Sequence, residues 1–506
     1  MSLFPMNLRG KRALLIESGV AIAVAAIVSG CGSTYRPVVT PINPTGPAAQ
    51  PAGFAIVISS PSPTTAGIAT VIDYSGDTIV ALAPVGPGPL AFSLDENGTT
   101  GYTVNSDGTL TNFPATNQLQ EKNVTYSTLP ASALSVNLFS PSAGLWVADL
   151  NGNVADVLTG SPETFKLSIP VAATPIEIVG PPLLGERNYA ISLNNSTTST
   201  LGYDTTCNIA PSTVAQTGEA DSLEVASYTV SARIPLGVCP VYSIQSADNR
   251  RLFVLNRGSD TVTVINSQLN TLDNLCPPPT GCVNQNGQTY FSHPALPLST
   301  TAVTATGITP PNGTTGMTAV AGPVYGEYIQ ATQQLVVSNY DGNTITVIDV
   351  SLDEYGNDSP TFGTTFTIPV GTNPSSVTAL ADGSRAYTSN QADGTVTIVN
   401  LTSHTVEKTL TVVGHPRTVV STSNSLYGKV YVASPDSPYL TIIRTDQDIV
   451  DTTILVEGNI VDVRVTTQNG TAGNGNAMSR RPGAGQPCYL PGAAPEATLA
   501  ACQTLP

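Results

Sequence analysis

From Ser338 to Asp349 the chain reads SNYDGNTITVID, a polar loop followed by Thr, Ile and Val in alternation until an Asp stops the run. Period-two alternation describes a strand with one side turned to a core. The phrase returns as LNRGSDTVTVIN at Leu255–Asn266 and SNQADGTVTIVN at Ser389–Asn400. Apolar runs that end at such loops recur throughout: GYTVN to Asn105, LWVAD to Asp149, NYAIS to Ser192, LFVLN to Asn256, LVVSN to Asn339, AYTSN to Asn390 and VYVAS to Ser434. The commonest spacing between their ends is about 44 residues, the length of four short strands with their turns. The gaps after Ser192 and Asn256 are wider and hold insertions.

A second marker falls between these runs: PVGPGP at Pro84–Pro89, IPVAATP at Ile169–Pro175, IPLGVCP at Ile234–Pro240, IPVGTNP at Ile368–Pro374 and VVGHP at Val412–Pro416. One strand ends there, the chain turns, and Pro opens the next strand, where its missing N–H costs least. Before the first run, GFAIVISS, GIATVIDYS and DTIVALAPV (Gly53–Val85) supply three strands, and EGNIVDVRVTTQNG (Glu457–Gly470) supplies one more at the far end. Joined, they complete a blade from both termini and leave no open edge. The expected fold is therefore all-β, a β-propeller of four antiparallel strands per blade, with eight blades counted and seven the nearest alternative. Asn, Asp and Gly in each polar loop tolerate positive φ and are expected as turn residues, not ligands.

These repeats resemble the YVTN-type β-propeller repeat family, most closely in AYTSNQADGTVTIVNLTSHTVEKTLTVVGHP, and the resemblance spans most of residues 54–466. It implies the propeller fold and places lactonases and redox-enzyme subunits among the functional alternatives.

The N-terminus is built differently. Arg9, Lys11 and Arg12 precede an apolar stretch, Ala13–Val28, that ends in small residues, the layout of a signal peptide. Val28-Ser29-Gly30-Cys31 resembles the lipobox of bacterial lipoproteins, which implies cleavage before Cys31 and a lipidated Cys31 as membrane anchor. Residues 1–30 are thus expected as a lipoprotein signal peptide and 31–53, rich in Pro and Gly, as a tether. The propeller is expected over 54–470, and a Gly/Ala/Pro-rich tail over 471–506.

Composition agrees with short strands and tight turns: 44 Gly, 41 Pro and only 11% charged residues. The net charge of −16 makes nucleic acid an improbable partner. Setting Cys31 aside, six cysteines remain, and an even number in an exported chain suggests disulfides. Cys276–Cys282 closes a short loop, Cys488–Cys502 would tie the tail, and Cys207–Cys239 is left by elimination. In that last pair Cys207 is read as following a third strand and Cys239 as preceding a first strand, at opposite ends of a blade. No C-x-x-C occurs and the three histidines (His293, His404, His415) are scattered, so neither a metal site nor a cofactor is expected.

No catalytic motif appears. The acidic stretches LDENG (Leu94–Gly98) and SLDEYGNDS (Ser351–Ser359) lack the spacing of a calcium loop and are expected as solvated turns. The insertions Thr205–Leu223 and Ser267–Pro297 read as following the third strands of adjacent blades, hence as neighbours on one face, where binding usually resides. On the other face, Arg257, Tyr340 and Asp341 of the polar loops are the most ligand-like side chains. The reading is a non-enzymatic envelope scaffold, anchored to the membrane by lipid and facing the periplasm or cell exterior, that holds a protein or glycan. A propeller enzyme and a structural surface-layer component are the alternatives. Fold alone does not choose among them.

Overall fold

The computed structural model describes residues 53–466, apart from 181–186, 195–216, 299–320 and short stretches at 63, 96–97, 130–132, 139–143, 150–151, 285, 423–425 and 427. Eight four-stranded antiparallel blades form a closed ring. Blades 2 to 8 are meanders spanning Pro89–Thr128, Ala133–Pro170, Pro175–Val238, Pro240–Pro297, Pro323–Pro369, Pro374–Thr411 and Thr418–Leu455. Blade 1 takes its inner strand, Asn459–Val465, from the C-terminal side and its other three, Phe54–Ser60, Ala66–Asp73 and Thr78–Pro87, from the N-terminal side. Val57 pairs with Val463 at this seam. Each inner strand also packs on the inner strand of the next blade, all the way round. The expected eight-bladed ring, closed from both termini, is what the chain forms.

The core lies between blades, because the strands inside each sheet are covered on both faces while outer strands such as Thr405–Thr411 and Ile449–Leu455 stay largely exposed. One apolar cluster joins Phe253 and Val264 of blade 5 to Tyr325 and Val347 of blade 6 and Val377 of blade 7. The single Trp, Trp146, is fully buried between blades 3 and 4 with Ile178 and Ala190. This two-sided burial is why the strands read as apolar runs with Ser and Thr at the alternate places.

Successive loops of a meander alternate between its two ends, and each end has its own fastening. At one end, the Asn closing a second strand clamps the start of the third. Asn390 Nδ2 donates to Thr395 Oγ1 at 2.9 Å and Thr397 Oγ1 at 2.8 Å. Asn339 reaches Thr344 and Thr346 at 3.0 and 2.8 Å, and Asn256 reaches Thr261 and Thr263 at 3.2 and 2.8 Å. The Gly of the preceding connector lies on this clamp: a Cβ on Gly371 would stand 2.5 Å from Asn390 Cγ, and one on Gly237 2.6 Å from Asn256 Cγ. The two sequence markers are therefore two sides of one inter-blade contact.

At the opposite end a cation opening the second strand reaches the third-to-outer loop of the next blade. Arg187 Nη1 donates to Ser267 O at 3.3 Å, and Arg251 Nη2 to Asp358 Oδ1 at 3.0 Å. Arg385 pairs with Asp448. Lys429 Nζ donates to Tyr74 O at 2.8 Å and pairs with Asp77 at 2.5 Å, reinforcing the seam between blades 8 and 1. Tyr387, two residues after its cation, donates to the same Asp448 at 2.5 Å.

The second insertion follows the third strand of blade 5, Thr261–Asn266, as expected; the first does not follow a third strand. Thr217–Glu224 is itself the third strand of blade 4, so the first insertion falls between the second and third strands. Glu219, Asp221 and Ser222 disguise that strand by filling it with polar residues. The second insertion does not leave from a loop end. The outer strand of blade 5 begins as Thr271–Leu272 beside Ile265 and Asn266, breaks off, and resumes as Ala295–Pro297 beside Thr261–Thr263. Residues 273–294 are an excursion from the middle of that strand, at the rim, and the two insertions are not neighbours on one face.

Candidate functional site: a welded projection on blades 5 and 6

The excursion is an ordered body. Cys276 and Cys282 are disulfide-bonded, as the short loop suggested. Cys282–Val283 pairs with Thr289–Tyr290 in a small hairpin, and Ser292 Oγ accepts the N–H of Cys276 at 2.8 Å. It packs against the loop joining the third and outer strands of blade 6, which contains SLDEYGNDS. His293 Nδ1 lies 2.8 Å from Asp358 Oδ2 and its ring stacks on Phe362. Asn286 Nδ2 donates to Glu354 Oε1 at 3.1 Å.

Beneath the junction sits a buried ion cluster. Arg251 donates through Nε to Asp273 of the excursion at 3.2 Å and through Nη2 to Asp358 of the blade 6 loop at 3.0 Å. All three are buried. Burial, then the nearby Asp358 carboxylate, push the Asp273 carboxyl up to about 6, against the attraction of Arg251. One guanidinium thus holds two carboxylates and ties two blades' loops into a single surface. The acids of SLDEYGNDS shape this surface: Asp353 Oδ1 accepts the N–H groups of Tyr355 and Asn357, both at 2.9 Å. In the other acidic stretch Asp95 accepts the N–H of Thr100 at 2.9 Å, again a turn fastening.

The structure brings Arg257, Tyr340 and Asp341 together at the opposite end of the same two blades. Arg257 forms a two-pronged pair with Asp341, Nε to Oδ2 at 3.0 Å and Nη2 to Oδ1 at 2.9 Å. Its guanidinium carbon lies 5.7 Å from the centre of the Tyr340 ring. Arg257 and Tyr340 are buried, so this group fastens blade 5 to blade 6, and only Asp341 keeps partial exposure. Cys239 is disulfide-bonded. It lies in the connector between blades 4 and 5; in chain order Cys207 precedes the third strand of blade 4, Thr217–Glu224, and does not follow a third strand. Cys31, Cys207, Cys488 and Cys502 lie outside the described residues.

Polar side chains of the inner strands bond to the next blade. Ser243 Oγ donates to Glu177 Oε2 at 2.8 Å, Thr378 Oγ1 to Ser421 Oγ at 3.2 Å, and Thr418 Oγ1 to Asp462 Oδ1 at 3.0 Å. Glu327 accepts the N–H of Ala379 at 3.1 Å. Burial pushes its carboxyl up to about 8, against that bond and one from Thr378, so it is largely neutral near pH 7. Among the described residues, no three His, Cys, Asp or Glu side chains form a group that could hold a metal.

The Arg251 cluster escaped the sequence reading because its members are scattered over more than 100 residues of chain. One signal was present: a cation two residues before an aromatic, in RNY, RLF, RAY and KVY, at the start of four second strands.

No protein-family model matches the chain, and no curated protein does. Among solved structures it is similar to apo AztD from Citrobacter koseri, at 13% identity and TM-score 0.52, over 82% of this chain and 98% of that one. It is similar too to the dihydro-heme d1 dehydrogenase NirN in complex with DHE, at 13% identity and TM-score 0.53, over 83% of this chain and 76% of that one. At such identities the likeness shows the propeller fold alone.

Proposed function

We propose that this chain is a YVTN-type propeller lipoprotein of the cell envelope. It is anchored through Cys31, faces the periplasm or the cell exterior, and acts as a non-enzymatic scaffold for a protein or glycan partner. The welded projection on blades 5 and 6 carries this reading. A disulfide, a hairpin and a buried ion cluster hold in place a surface that the ring does not need for closure, and such preorganisation lowers the ordering cost of binding. In contrast, Ser243, Thr378, Thr418 and Glu327 of the inner strands, and Arg257 with Asp341 of the polar loops, fasten blade to blade.

The test is native purification from membranes with intact-mass analysis. An acylated N-terminus at Cys31 and a stoichiometric envelope partner are expected, with Cys31→Ser moving the protein to the soluble fraction. A wild-type protein that is soluble and unacylated would overturn the anchor. A purified protein that turns over a substrate and carries no partner would overturn the scaffold.

A further inference from the structure

No lysine or arginine occurs between Arg257 and Arg385, a stretch that contains the rim excursion, all of blade 6 and the loop welded to the excursion. Two cations outside that stretch reach the projection: Arg251, buried between Asp273 and Asp358, and the half-exposed Arg250, which lies against Gly356 and pairs loosely with Asp248 at 3.8 Å. Acids remain at its surface. Glu354 presents a carboxylate beside Asn286. Slight burial works against ionisation of Asp353, but hydrogen bonds from Asn357 and the N–H of Tyr355 outweigh it and hold the carboxyl below its usual range. The excursion and the loop welded to it also expose apolar side chains: Leu275 is 63% exposed, Val283 66% and Tyr355 40%. Single exposed apolar residues are ordinary. Here three occupy one braced projection, two of them next to the disulfide cysteines.

Resting on the scaffold reading, we infer that this projection is the docking surface for a protein whose contact segment carries lysine or arginine beside apolar side chains. Aliphatic Leu275 and Val283 call for apolar contact, and a surround in which Asp248, Asp353 and Glu354 outnumber the half-exposed cation Arg250 selects a basic segment by charge complementarity. The overall charge of −16 steers such a partner toward the molecule.

The experiment places a photo-crosslinking amino acid at Val283 of the full-length, membrane-bound protein. A second protein carries it at Leu82, 57% exposed on the outer strand of blade 1. Irradiated membranes are analysed by mass spectrometry for the crosslinked peptide. The expected result is a protein adduct from Val283 alone, through a segment with basic residues flanking apolar ones. Glu354→Lys should lower its yield about tenfold, the effect of a change near 1.4 kcal/mol, whereas Glu121→Lys on blade 2 should not. An adduct to a glycan, lipid or acidic segment, one indifferent to Glu354→Lys, or none from Val283 would overturn the inference. A partner captured from Leu82 and not from Val283 would sink this surface and leave the scaffold standing. Substrate turnover with no protein adduct at either position would sink both.

Discussion

At the scale of single residues, the informative groups are buried and ionisable. Glu327 gains a proton on folding, because burial raises its carboxyl far above the value it has in the unfolded chain. The folded state then holds more protons than the unfolded one between the two pKa values, so stability falls as pH rises through that window. Glu327→Gln keeps an acceptor for the Ala379 N–H and removes the ionisable group. Urea melts should show the variant near wild type at pH 5 and more stable at pH 8 by on the order of a few kcal/mol. Equal pH slopes for the two proteins would contradict this. Arg251 makes the converse case. Arg251→Met leaves Asp273 and Asp358 buried without their guanidinium, which should cost about 3–5 kcal/mol. Lowering the pH below 6 should recover part of that loss by protonating Asp273, and a pH-independent deficit would point to lost packing instead.

At the scale of elements, the connector Gly and the following Asn act as one device. Gly371→Ala forces a methyl against Asn390 and should cost about 1–3 kcal/mol by overpacking. Asn390→Ala should cost about 1–3 kcal/mol by stranding its clamp partners. Because the second change clears the space demanded by the first, a double-mutant cycle should be strongly non-additive, with the pair less damaged than the sum. Additive losses would separate the two markers. The excursion is a second element with its own prediction. Cys276→Ser with Cys282→Ser should speed hydrogen exchange across residues 273–294 while moving the thermal midpoint little, since the ring closes without this segment. A large drop in the midpoint would show that the excursion supports the ring.

At the scale of the whole molecule, stability depends on closure. Removing residues 457–466 deletes the inner strand of blade 1 and exposes the edge of Phe54–Ser60. It also frees the neighbouring faces of blades 8 and 2. The truncated protein should lose its cooperative melt and associate through the open edge, readable by calorimetry and light scattering; a monomer with a sharp melt would count against closure as the organising contact.

Much of this was legible in the sequence. Period-two runs, the spacing near 44 residues and the strands at the two ends of the propeller segment determined a closed propeller, with eight blades counted and seven the nearest alternative, because strand alternation and blade length are local properties of the chain; the eight sheets of the ring decide the number. The short CPPPTGC loop likewise announced its own disulfide. The third strand of blade 4 was missed because it carries Asp221 on one buried face and Ser222 on the other, and these look like loop residues until neighbouring blades cover them. Arg257, Tyr340 and Asp341 were found as a group, but their burial could not be read, since exposure depends on which blade packs above. Only the tertiary structure broke the outer strand of blade 5 in two. Only it gathered Arg251, Asp273, His293 and Asp358 under one projection. These are contacts between blades, set by the curvature of the ring, and no local pattern of hydrophobic and polar positions encodes them.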